Sequence, residues 1–272
     1  FGAETAQAIA EYSLTQPPLD ISVKADPELW ADKLEATLLP TGSLRREFDG
    51  AITGLPGFDE GAWWVQDAAA ALPAKLLGDV KGKRVFDLCA APGGKTLQLA
   101  AMGADVLAVD RSSRRLKRLE RNMERLGLYG DVAVADITGW TPPFTPDAIL
   151  LDPPCTATGT IRRHPDILHA KGLGDLHKLT TLQAKLLAKA AGMLQPGGRL
   201  VYCTCSQQME EGEAQVARAL AELPLERDPV TAEELGGLDK LLTPDGDVRT
   251  GPHLYPELGG FDGFFIARFK RV

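Results

Sequence analysis

A carboxylate and two thiols directly follow short apolar segments of this sequence, where strands are expected to end. Asp152 and Cys155 flank a pair of prolines after one segment, and Cys205 follows another. Since proline cannot continue a central strand, the chain must leave the sheet between Asp152 and Cys155. A rigid loop that holds a carboxylate and a thiol at a fixed distance from each other suits a site whose polar groups contact a flat ring. The alternative is an ordinary solvated loop.

A loop of small residues connects an apolar strand to a helix at Asp87–Thr96, with the sequence Asp-Leu-Cys-Ala-Ala-Pro-Gly-Gly-Lys-Thr. Glycine lets the backbone approach a ligand closely, and the N-terminus of the following helix offers free N–H groups. The next strand ends in Asp110, the position from which nucleotide-binding α/β folds hold ribose hydroxyl groups. The loop lacks the spacing of a P-loop. We therefore expect a nucleoside cofactor, with a tight turn that binds nothing as the alternative.

These groups all follow the carboxyl ends of predicted strands, the edge at which open parallel sheets bind ligands. Asp136 follows the strand predicted at 132–135 and is a candidate for contacting the base of the cofactor. Cys203 and Cys205 could suggest a metal, but no second cysteine pair or nearby histidine completes a familiar ligand set, so no metal is expected. We interpret Cys203 as a buried, inert thiol and Cys205 as an accessible one.

Strands and helices alternate from about residue 62, which predicts an α/β fold with a mostly parallel, twisted sheet covered by helices. The helical pattern is clearest at Ser113–Leu126, where apolar residues recur at spacings of three, four and three. The other predicted helices span 65–77, 95–102, 176–193 and 210–222, and the other predicted strands span 84–89, 105–109, 148–151, 199–203 and 264–269. This order of elements predicts one domain over residues 61–272.

Residues 1–60 lack a strong period and are interpreted as a small N-terminal α/β appendage, a candidate RNA-contact unit. A helix is predicted near Thr5–Tyr12, a strand at Leu19–Val23, and a short helix that opens at Asp26 and extends to Leu38. Turn-forming residues at 54–57 indicate the boundary with the larger domain.

The composition excludes several classes of protein. A hydrophobic fraction of 44% and a charged fraction of 25% over 272 residues are typical of a globular protein with a sizeable core. No run of about 18 apolar residues is present, so no membrane span or membrane partner is expected. A net charge of −7 argues against a protein that coats nucleic acid nonspecifically. The four cysteines indicate reduced thiols and a cytoplasmic location rather than a disulfide framework.

The motifs together resemble the RNA cytosine-5 methyltransferases of the Nol1/Nop2/Sun family. Within that family the resemblance is closest to the bacterial Sun/Fmu group, which acts on small-subunit ribosomal RNA. The segments that carry it are Val65–Ala68, Asp87–Thr96, Asp152–Ile167, Thr204–Ser206 and Asp262–Phe265. Two residues depart from the pattern, because Pro153 and Cys203 stand where the group has alanine.

The resemblance implies a Rossmann-like class I methyltransferase fold that binds S-adenosylmethionine. It also implies that the N-terminal helical RNA-binding domain of the group is missing, and since the sequence begins with Phe1 we expect a truncated form of a longer protein. The residues implied to bind the cofactor are Cys89, Ala90, Ala91, Pro92, Gly93, Gly94, Lys95, Asp110, Arg115, Asp136 and Asp152.

The same resemblance implies catalytic roles for Cys205, Cys155, Asp152 and Lys95, with Cys205 as the nucleophile and Cys155 assisting release of the product. The chemistry agrees with that assignment. Carbon 5 of cytosine is a poor nucleophile, and a thiolate that adds to carbon 6 makes it able to attack a sulfonium methyl group. The target base must be unpaired or flipped out to reach such a site. The expected substrate is RNA, and 16S ribosomal RNA in particular.

RNA also requires cationic contacts. Arg162, Arg163 and His164 follow the Asp-Pro-Pro-Cys loop directly and are the expected RNA-binding residues, because arginine is suited to phosphate. The predicted helix within 111–125 is rich in arginine, but a charged helix face is most often simply solvated.

Two other functions stay open at this stage. An amino methyltransferase has a similar loop after its strand but needs no cysteine, and no aromatic residue stands at position 155. An RNA-binding ribosome-assembly factor without activity would not need an intact set of Lys95, Asp152, Cys155 and Cys205. We expect the protein to be a monomer.

Overall fold

The computed structural model describes residues 1–170 and 172–272, and its N-terminal part forms a small antiparallel sheet. The elements of this unit are helices α1 (Ala3–Ser13) and α2 (Pro27–Lys33) and strands β1 (Leu19–Val23), β2 (Thr37–Leu38), β3 (Leu44–Arg46) and β4 (Trp63–Val65). The strands lie in the order β2-β3-β1-β4. Ile21, Leu34, Leu44 and Trp63 form the buried core between sheet and helix.

The rest of the chain builds a larger sheet with helices on both faces. Its strands are β5 (Arg84–Leu88), β6 (Asp105–Asp110), β7 (Asp131–Val134), β8 (Ala148–Leu151), β9 (Arg199–Thr204), β10 (Leu225–Arg227), β11 (Val248–Arg249) and β12 (Phe265–Arg271). Its helices are α3 (Ala68–Leu76), α4 (Gly94–Ala101), α5 (Ser113–Leu126), α6 (Ile167–Ala170), α7 (Leu173–Met193) and α8 (Glu213–Glu222).

The eight strands follow the order β10-β12-β9-β8-β5-β6-β7, with β11 paired to β12. Strands β5 to β9 pair in parallel, whereas β10, β11 and β12 pair antiparallel. The predicted α/β fold with a mostly parallel sheet is thus confirmed. Strand β5 lies between β6 and β8. After β5 the chain adds β6 and β7 on one side of it and then crosses to add β8 and β9 on the other side, which leaves a crevice at the carboxyl ends of the strands.

Alternating side chains of the central strands fill two separate cores. Val85 packs in the cluster that includes residues of α3 and α4, whereas Phe86 and Leu88 pack in the cluster that includes residues of α7 and α8. A strand that is buried on both faces is expected at the centre of a parallel sheet covered by helices. Within the described part of the chain, no helix has the length and apolar content needed to cross a membrane.

Several predicted boundaries differ from the structure. The helix predicted at 65–77 begins only at Ala68, because Val65 pairs with Ile21 in the small sheet. The small sheet therefore extends to Val65, beyond the boundary suggested at residue 60. Leu38 belongs to β2 rather than to the preceding helix, and the helix predicted from 210 begins at Glu213, after a short 3-10 turn.

Candidate active site

Five loops that follow β5, β6, β7, β8 and β9 meet at one edge of the large sheet. They carry, in that order, Cys89–Lys95, Asp110, Asp136, Asp152 with Cys155, and Cys205. Because these strands are parallel, their carboxyl ends share one edge, and groups far apart in sequence become neighbours. The convergence expected from the sequence is therefore present in the structure.

The loop between β5 and α4 has a tightly constrained backbone. Cys89 has a φ of 63°, and the peptide bond between Ala91 and Pro92 is cis. Gly93 has a φ of 112°, and a Cβ at this position would lie 2.6 Å from Cγ of Leu119. Only glycine satisfies both conditions. The loop thus lies directly on α5, with its backbone turned toward the crevice.

Asp110 ties this loop to the end of β6. Its Oδ1 accepts a hydrogen bond from the Ser112 backbone N–H at 2.8 Å, and its Oδ2 accepts one from the Ala91 N–H at 3.2 Å. Arg115 reaches back from α5, donates to the Ala91 carbonyl, and lies 3.5 Å from Oδ2 of Asp110. The carboxylate is therefore buried and oriented by these contacts.

Asp136 is exposed at the end of the neighbouring loop. Its Oδ1 accepts hydrogen bonds from Oγ1 and the backbone N–H of Thr138, which lower the pKa of this carboxyl below its ordinary value. Between Asp110 and Asp136 opens a cavity of about 390 Å³, whose walls include Ile137 and Leu186. Its size and apolar walls with few polar groups are typical of a small-ligand site.

Lys95 and Asp152 form an ion pair at the centre of the site, with 2.7 Å between Nζ and Oδ2. The Lys95 side chain is only 11% exposed. Burial lowers the pKa of Lys95, but the Asp152 charge and hydrogen bond outweigh it, so the pKa lies above its ordinary value. Lys95 is therefore a fixed positive charge. Its Nζ also lies 5.3 Å from the centroid of the Phe264 ring.

Cys155 and Cys205 bring their Sγ atoms to within 3.4 Å of each other. The hydrogen bond to Cys205 and burial raise the pKa of the Cys155 thiol well above its ordinary value. Burial likewise raises the pKa of Cys203, which is fully enclosed in β9, and that of Cys89. The sulfurs of Cys155 and Cys205 thus form a pair that can share a proton, whereas Cys203 is enclosed as an inert thiol would be.

A buried carboxylate, Glu211, holds the two cysteine loops together. It accepts hydrogen bonds from the Thr156 backbone N–H at 3.0 and 3.1 Å, from Oγ1 of Thr156 at 2.5 Å and from Nε2 of Gln183 at 2.8 Å. Oγ1 of Thr156 also lies 3.0 Å from Oγ of Ser206. This network links the residue after Cys155 to the residue after Cys205 and so sets the distance between the sulfurs.

A second cavity, of about 690 Å³, lies on the other side of the ion pair. It extends from the large sheet to the N-terminal unit, and its walls include Phe58, Trp64 and Val65. The two cavities share Cys89, Ala91, Pro92, Asp152 and Cys205. Asp152 and Cys205 therefore lie where a ligand in one cavity would face a ligand in the other.

The expected RNA-binding residues separate from one another in the structure. Arg162 has a side chain that is 2% exposed, with its Nε 2.5 Å from Oδ1 of Asp262 and its guanidinium 3.2 Å from Oδ2 of Asp67. Arg163 pairs with the same two carboxylates at 3.0 and 2.8 Å. Both guanidinium groups are thus engaged within the protein, although the Arg163 side chain remains 25% exposed, and RNA contact by these two residues stays a prediction. His164 is exposed and lines the larger cavity.

Some residues of the site gave no clear signal in the sequence. Asp87 lies inside β5 rather than after it; its Oδ2 accepts a hydrogen bond from Oγ1 of Thr96 at 2.5 Å. Its Oδ1 has no partner among the described residues, and burial raises the pKa of this carboxyl to about 7. Glu211 and Phe264 were also missed. Among residues 1–170 and 172–272, no group of three or more His, Cys, Asp or Glu residues is arranged to hold a metal ion.

Comparison with known proteins agrees with the motifs. The model of a family described as 16S rRNA methyltransferase RsmB/F matches residues 74–270. Ribosomal RNA small subunit methyltransferase B of Sodalis glossinidius is 40% identical over 232 residues, which cover 83% of this chain and 50% of that protein. The protein of that name from Cronobacter sakazakii is 36% identical over 278 residues, covering 96% of this chain and 62% of that protein. The chain therefore spans about half the length of the curated relatives it matches.

Solved structures show the same fold. A methyltransferase homolog from Pyrococcus horikoshii has a TM-score of 0.81 and 28% identity and covers 99% of this chain and 91% of that one. NSun6 from the same organism, solved with SFG, has a TM-score of 0.85 and 19% identity, with 100% and 95% coverage. The fold is thus that of class I methyltransferases. The family match over most of the large domain, together with relatives 36% and 40% identical, shows that this chain belongs to the RsmB/F family of 16S rRNA methyltransferases.

Proposed function

We propose that the protein transfers a methyl group from S-adenosylmethionine to carbon 5 of a cytosine in RNA, with 16S ribosomal RNA as the substrate. The observation that carries the proposal is the pair of sulfurs, Cys155 and Cys205, 3.4 Å apart at the junction of two cavities. An amino methyltransferase has no use for such a pair. Family membership supports the RNA substrate, because relatives that are 36–40% identical are named as ribosomal RNA methyltransferases.

The smaller cavity has the hydrogen-bonding groups and apolar walls that S-adenosylmethionine requires. Asp110 is fixed by backbone hydrogen bonds at the end of β6, where it would accept hydrogen bonds from ribose hydroxyls. Asp136 would reach the edge of the adenine, whose flat ring fits against apolar residues such as Ile137 and Leu186. Cys89–Gly94 would lie along the methionine and ribose. When bound, the cofactor supplies an electrophilic methyl group at the junction with the larger cavity.

Cys205 is the proposed nucleophile. Its sulfur would form a bond to carbon 6 of the cytosine while the double bond between carbons 5 and 6 breaks, which makes carbon 5 nucleophilic. Carbon 5 then takes the methyl group from the sulfonium. The proton on carbon 5 must leave before the bond between carbon 6 and sulfur breaks and returns Cys205.

Cys155 is proposed to assist that last step. Its raised pKa has the hydrogen bond to Cys205 as the largest cause and burial as the next. Once the sulfur of Cys205 is bonded to carbon 6, it is part of a thioether and a weaker hydrogen-bond partner for Cys155. The largest cause of the raised pKa is then weakened, so Cys155 can release its proton to water, and its thiolate can accept the proton from carbon 5.

Asp152 and Lys95 are proposed to position and stabilise the base. Asp152 would meet ring nitrogen 3 and the amino group of cytosine, and the fixed charge of Lys95 would hold that carboxylate in place. A paired cytosine could not enter the larger cavity, so the base must be unpaired or flipped out. Asp152 lines both cavities, as a catalytic group for a transfer between two ligands must, and Lys95 lines the larger one.

Two single substitutions test the mechanism with labelled S-adenosylmethionine and unmodified 16S ribosomal RNA. Cys205→Ala should transfer no methyl group and form no covalent complex. Cys155→Ala should add to the base, transfer the methyl group and then stall as a denaturation-resistant, labelled protein–RNA band. If Cys205→Ala formed the covalent protein–RNA band and Cys155→Ala did not, Cys155 would be the nucleophile and Cys205 would assist release of the product. If neither variant traps RNA and both methylate it, thiol addition is not the mechanism.

A further inference from the structure

Helix α5 and the turn before it carry a set of cations, most of which have no role in the candidate active site described above. The cations within 111–125 are Arg111, Arg114, Arg115, Lys117, Arg118, Arg121 and Arg125. In the part of the chain that the structure describes, Arg115 alone of this set forms an ion pair with a carboxylate. Arg162 and Arg163, by contrast, are each held by two carboxylates. Against the seven cations of 111–125 the segment carries only Glu120 and Glu124, so it is locally positive in a chain with a net charge of −7.

Four arginines of this helix form one ridge. Arg114, Arg118, Arg121 and Arg125 follow each other at spacings of four, three and four residues, which places them in line on one side of a helix. Arg114, Arg118 and Arg121 are exposed. On the other side of the helix, Leu116, Leu119, Met123 and Leu126 are buried against the domain. The ridge therefore faces away from the buried core.

The ridge borders the larger cavity, because Arg118 and Arg125 line it. Arg125 is anchored there: its guanidinium donates to the carbonyls of Phe58 and Trp63 at 2.7 and 3.1 Å. The same guanidinium lies 4.2 Å from the centroid of the Phe58 ring. It therefore joins α5 to the N-terminal unit, whereas the guanidinium groups of Arg118 and Arg121 form no hydrogen bond or ion pair with residues 1–170 or 172–272.

The opposite wall of this cavity has different chemistry. Ile52, Phe58, Trp64 and Val65 of the N-terminal unit line it, and the Val65 side chain is 46% exposed. Of the carboxylates that also line the cavity, Asp67 and Asp262 pair with Arg162 and Arg163, and Asp152 pairs with Lys95. A cavity lined by arginines that pair with no carboxylate of the described residues, and by apolar side chains, fits a polymer whose backbone is anionic and whose rings are flat, and a single strand of nucleic acid has that chemistry. Cys205 lines the same cavity.

We propose that Arg114, Arg118 and Arg121 hold phosphates of the RNA strand that carries the target base, with the N-terminal unit as the opposite wall. The proposal rests on the proposed function, since it gives the path by which RNA reaches Cys205. Arg111 and Arg115 are not part of this path, because both line the smaller cavity.

Anisotropy with a fluorescein-labelled single-stranded RNA that carries one cytosine measures this contact as a function of salt. The double variant Arg118→Gln/Arg121→Gln should bind more weakly at low salt. The slope of log affinity against log salt should fall by about 1.4, because each phosphate contact on a single strand contributes about 0.7. Arg118→Lys/Arg121→Lys keeps both charges and should recover most of the slope. A matched control, Lys81→Gln/Lys83→Gln, removes two exposed cations at the start of β5, the opposite edge of the sheet, and should leave the slope unchanged.

The outcomes separate this inference from the proposed function. A wild-type slope in Arg118→Gln/Arg121→Gln would overturn the path along α5, even if Cys155→Ala still traps RNA. A reduced slope without trapping by Cys155→Ala would support the path and reject the thiol mechanism. If the slope fell equally in the Lys81→Gln/Lys83→Gln control, RNA binding would depend on the overall charge of the protein, which also overturns the proposal. Calorimetry with S-adenosylmethionine should show unchanged cofactor affinity in all three double variants.

Discussion

The sulfurs of Cys155 and Cys205 lie 3.4 Å apart although 50 residues separate them in the sequence. Each cysteine follows a different strand, and the two strands, β8 and β9, are neighbours in the sheet. Glu211 and Ser206 then fix the loop that carries Cys155 against the loop that carries Cys205. The separation is therefore set by the fold of the domain.

This proximity predicts that mild oxidation joins Cys155 to Cys205. A disulfide has an S–S length of about 2.05 Å, so the sulfurs need to approach by little more than 1 Å. With hydrogen peroxide, both thiol hydrogens and two electrons pass to the peroxide, which is reduced to water. We expect the loss of both thiol hydrogens in intact-mass spectra, loss of methyl transfer, and recovery of both on reduction with dithiothreitol.

Cys155→Ser is the matched control, since it keeps the volume of the side chain and leaves only Cys205 in the pair. It should show no loss of two hydrogens, and its oxidation should add oxygen instead. Peptide mapping identifies the bridge. A bridge that includes Cys203 would contradict the prediction, because that thiol is fully buried in β9.

The sequence predicted the part of the site that depends on strand ends. Apolar runs followed by Asp110, Asp136, Asp152 and Cys205 mark the carboxyl edge of a parallel sheet whatever the detailed packing. Arg162 and Arg163 could not be placed in that way. Their partners Asp67 and Asp262 lie about 100 residues away on either side, and no local pattern shows that two arginines will meet two carboxylates.

Residues that support the site from within the core were equally hidden. Glu211 looks like any acidic residue at the start of a helix, and only the folded chain shows that it is fully buried beneath Thr156. Strand β4 was missed because Trp63–Val65 is short and its pairing partner, β1, lies about 40 residues earlier. The burial of Glu211 and the pairing of β4 depend on contacts between residues far apart in the sequence, whereas the helices could be predicted from the local spacing of apolar residues.

The Asp87 carboxyl predicts a pH dependence of stability. Burial raises its pKa from 3.8 to about 7, so between these values the folded chain holds a proton that the unfolded chain has released. Stability therefore falls as the pH rises from about 4 to 7, by up to about 4 kcal/mol from this group. Asp87→Asn removes the ionisable group. The melting temperature of this variant minus that of the wild type should therefore increase as the pH rises from about 4 to 7. A difference independent of pH would show that Asp87 ionises normally in the folded chain.

The Arg162 ion pairs predict a structural role for a residue that the sequence assigned to RNA. Arg162→Ala leaves Asp262 buried without its closest partner, and should destabilise the fold by about 3–5 kcal/mol. The control is Arg218→Ala, which removes an exposed pair with Glu222 and should cost at most about 1 kcal/mol. Urea unfolding measures both. A near-neutral Arg162→Ala with weakened RNA binding would return this residue to the RNA contact.

Asp110 is predicted to hold the ribose of the cofactor. Asp110→Ala should weaken binding of S-adenosylmethionine by about 1.5–3 kcal/mol, the range for hydrogen bonds to a charged group. Part of this loss comes from the backbone, because the Ala91 and Ser112 N–H groups lose their acceptor. Asp110→Asn keeps one acceptor oxygen and should lose less. Calorimetry that finds unchanged affinity for both variants would remove Asp110 from the cofactor site.

Glu211 is predicted to position Cys155, a role that its burial and four hydrogen bonds indicate. Glu211→Gln keeps the size of the side chain but replaces one acceptor oxygen with an N–H donor, which then faces the donors of Thr156 and Gln183. The Cys155 loop should loosen, so peroxide should form the bridge between Cys155 and Cys205 more slowly. Glu210→Gln, an exposed neighbour, is the matched control and should leave that rate unchanged. A Glu211→Gln variant that is less stable but forms the bridge at the wild-type rate would show that Glu211 supports the fold without setting the distance between the sulfurs.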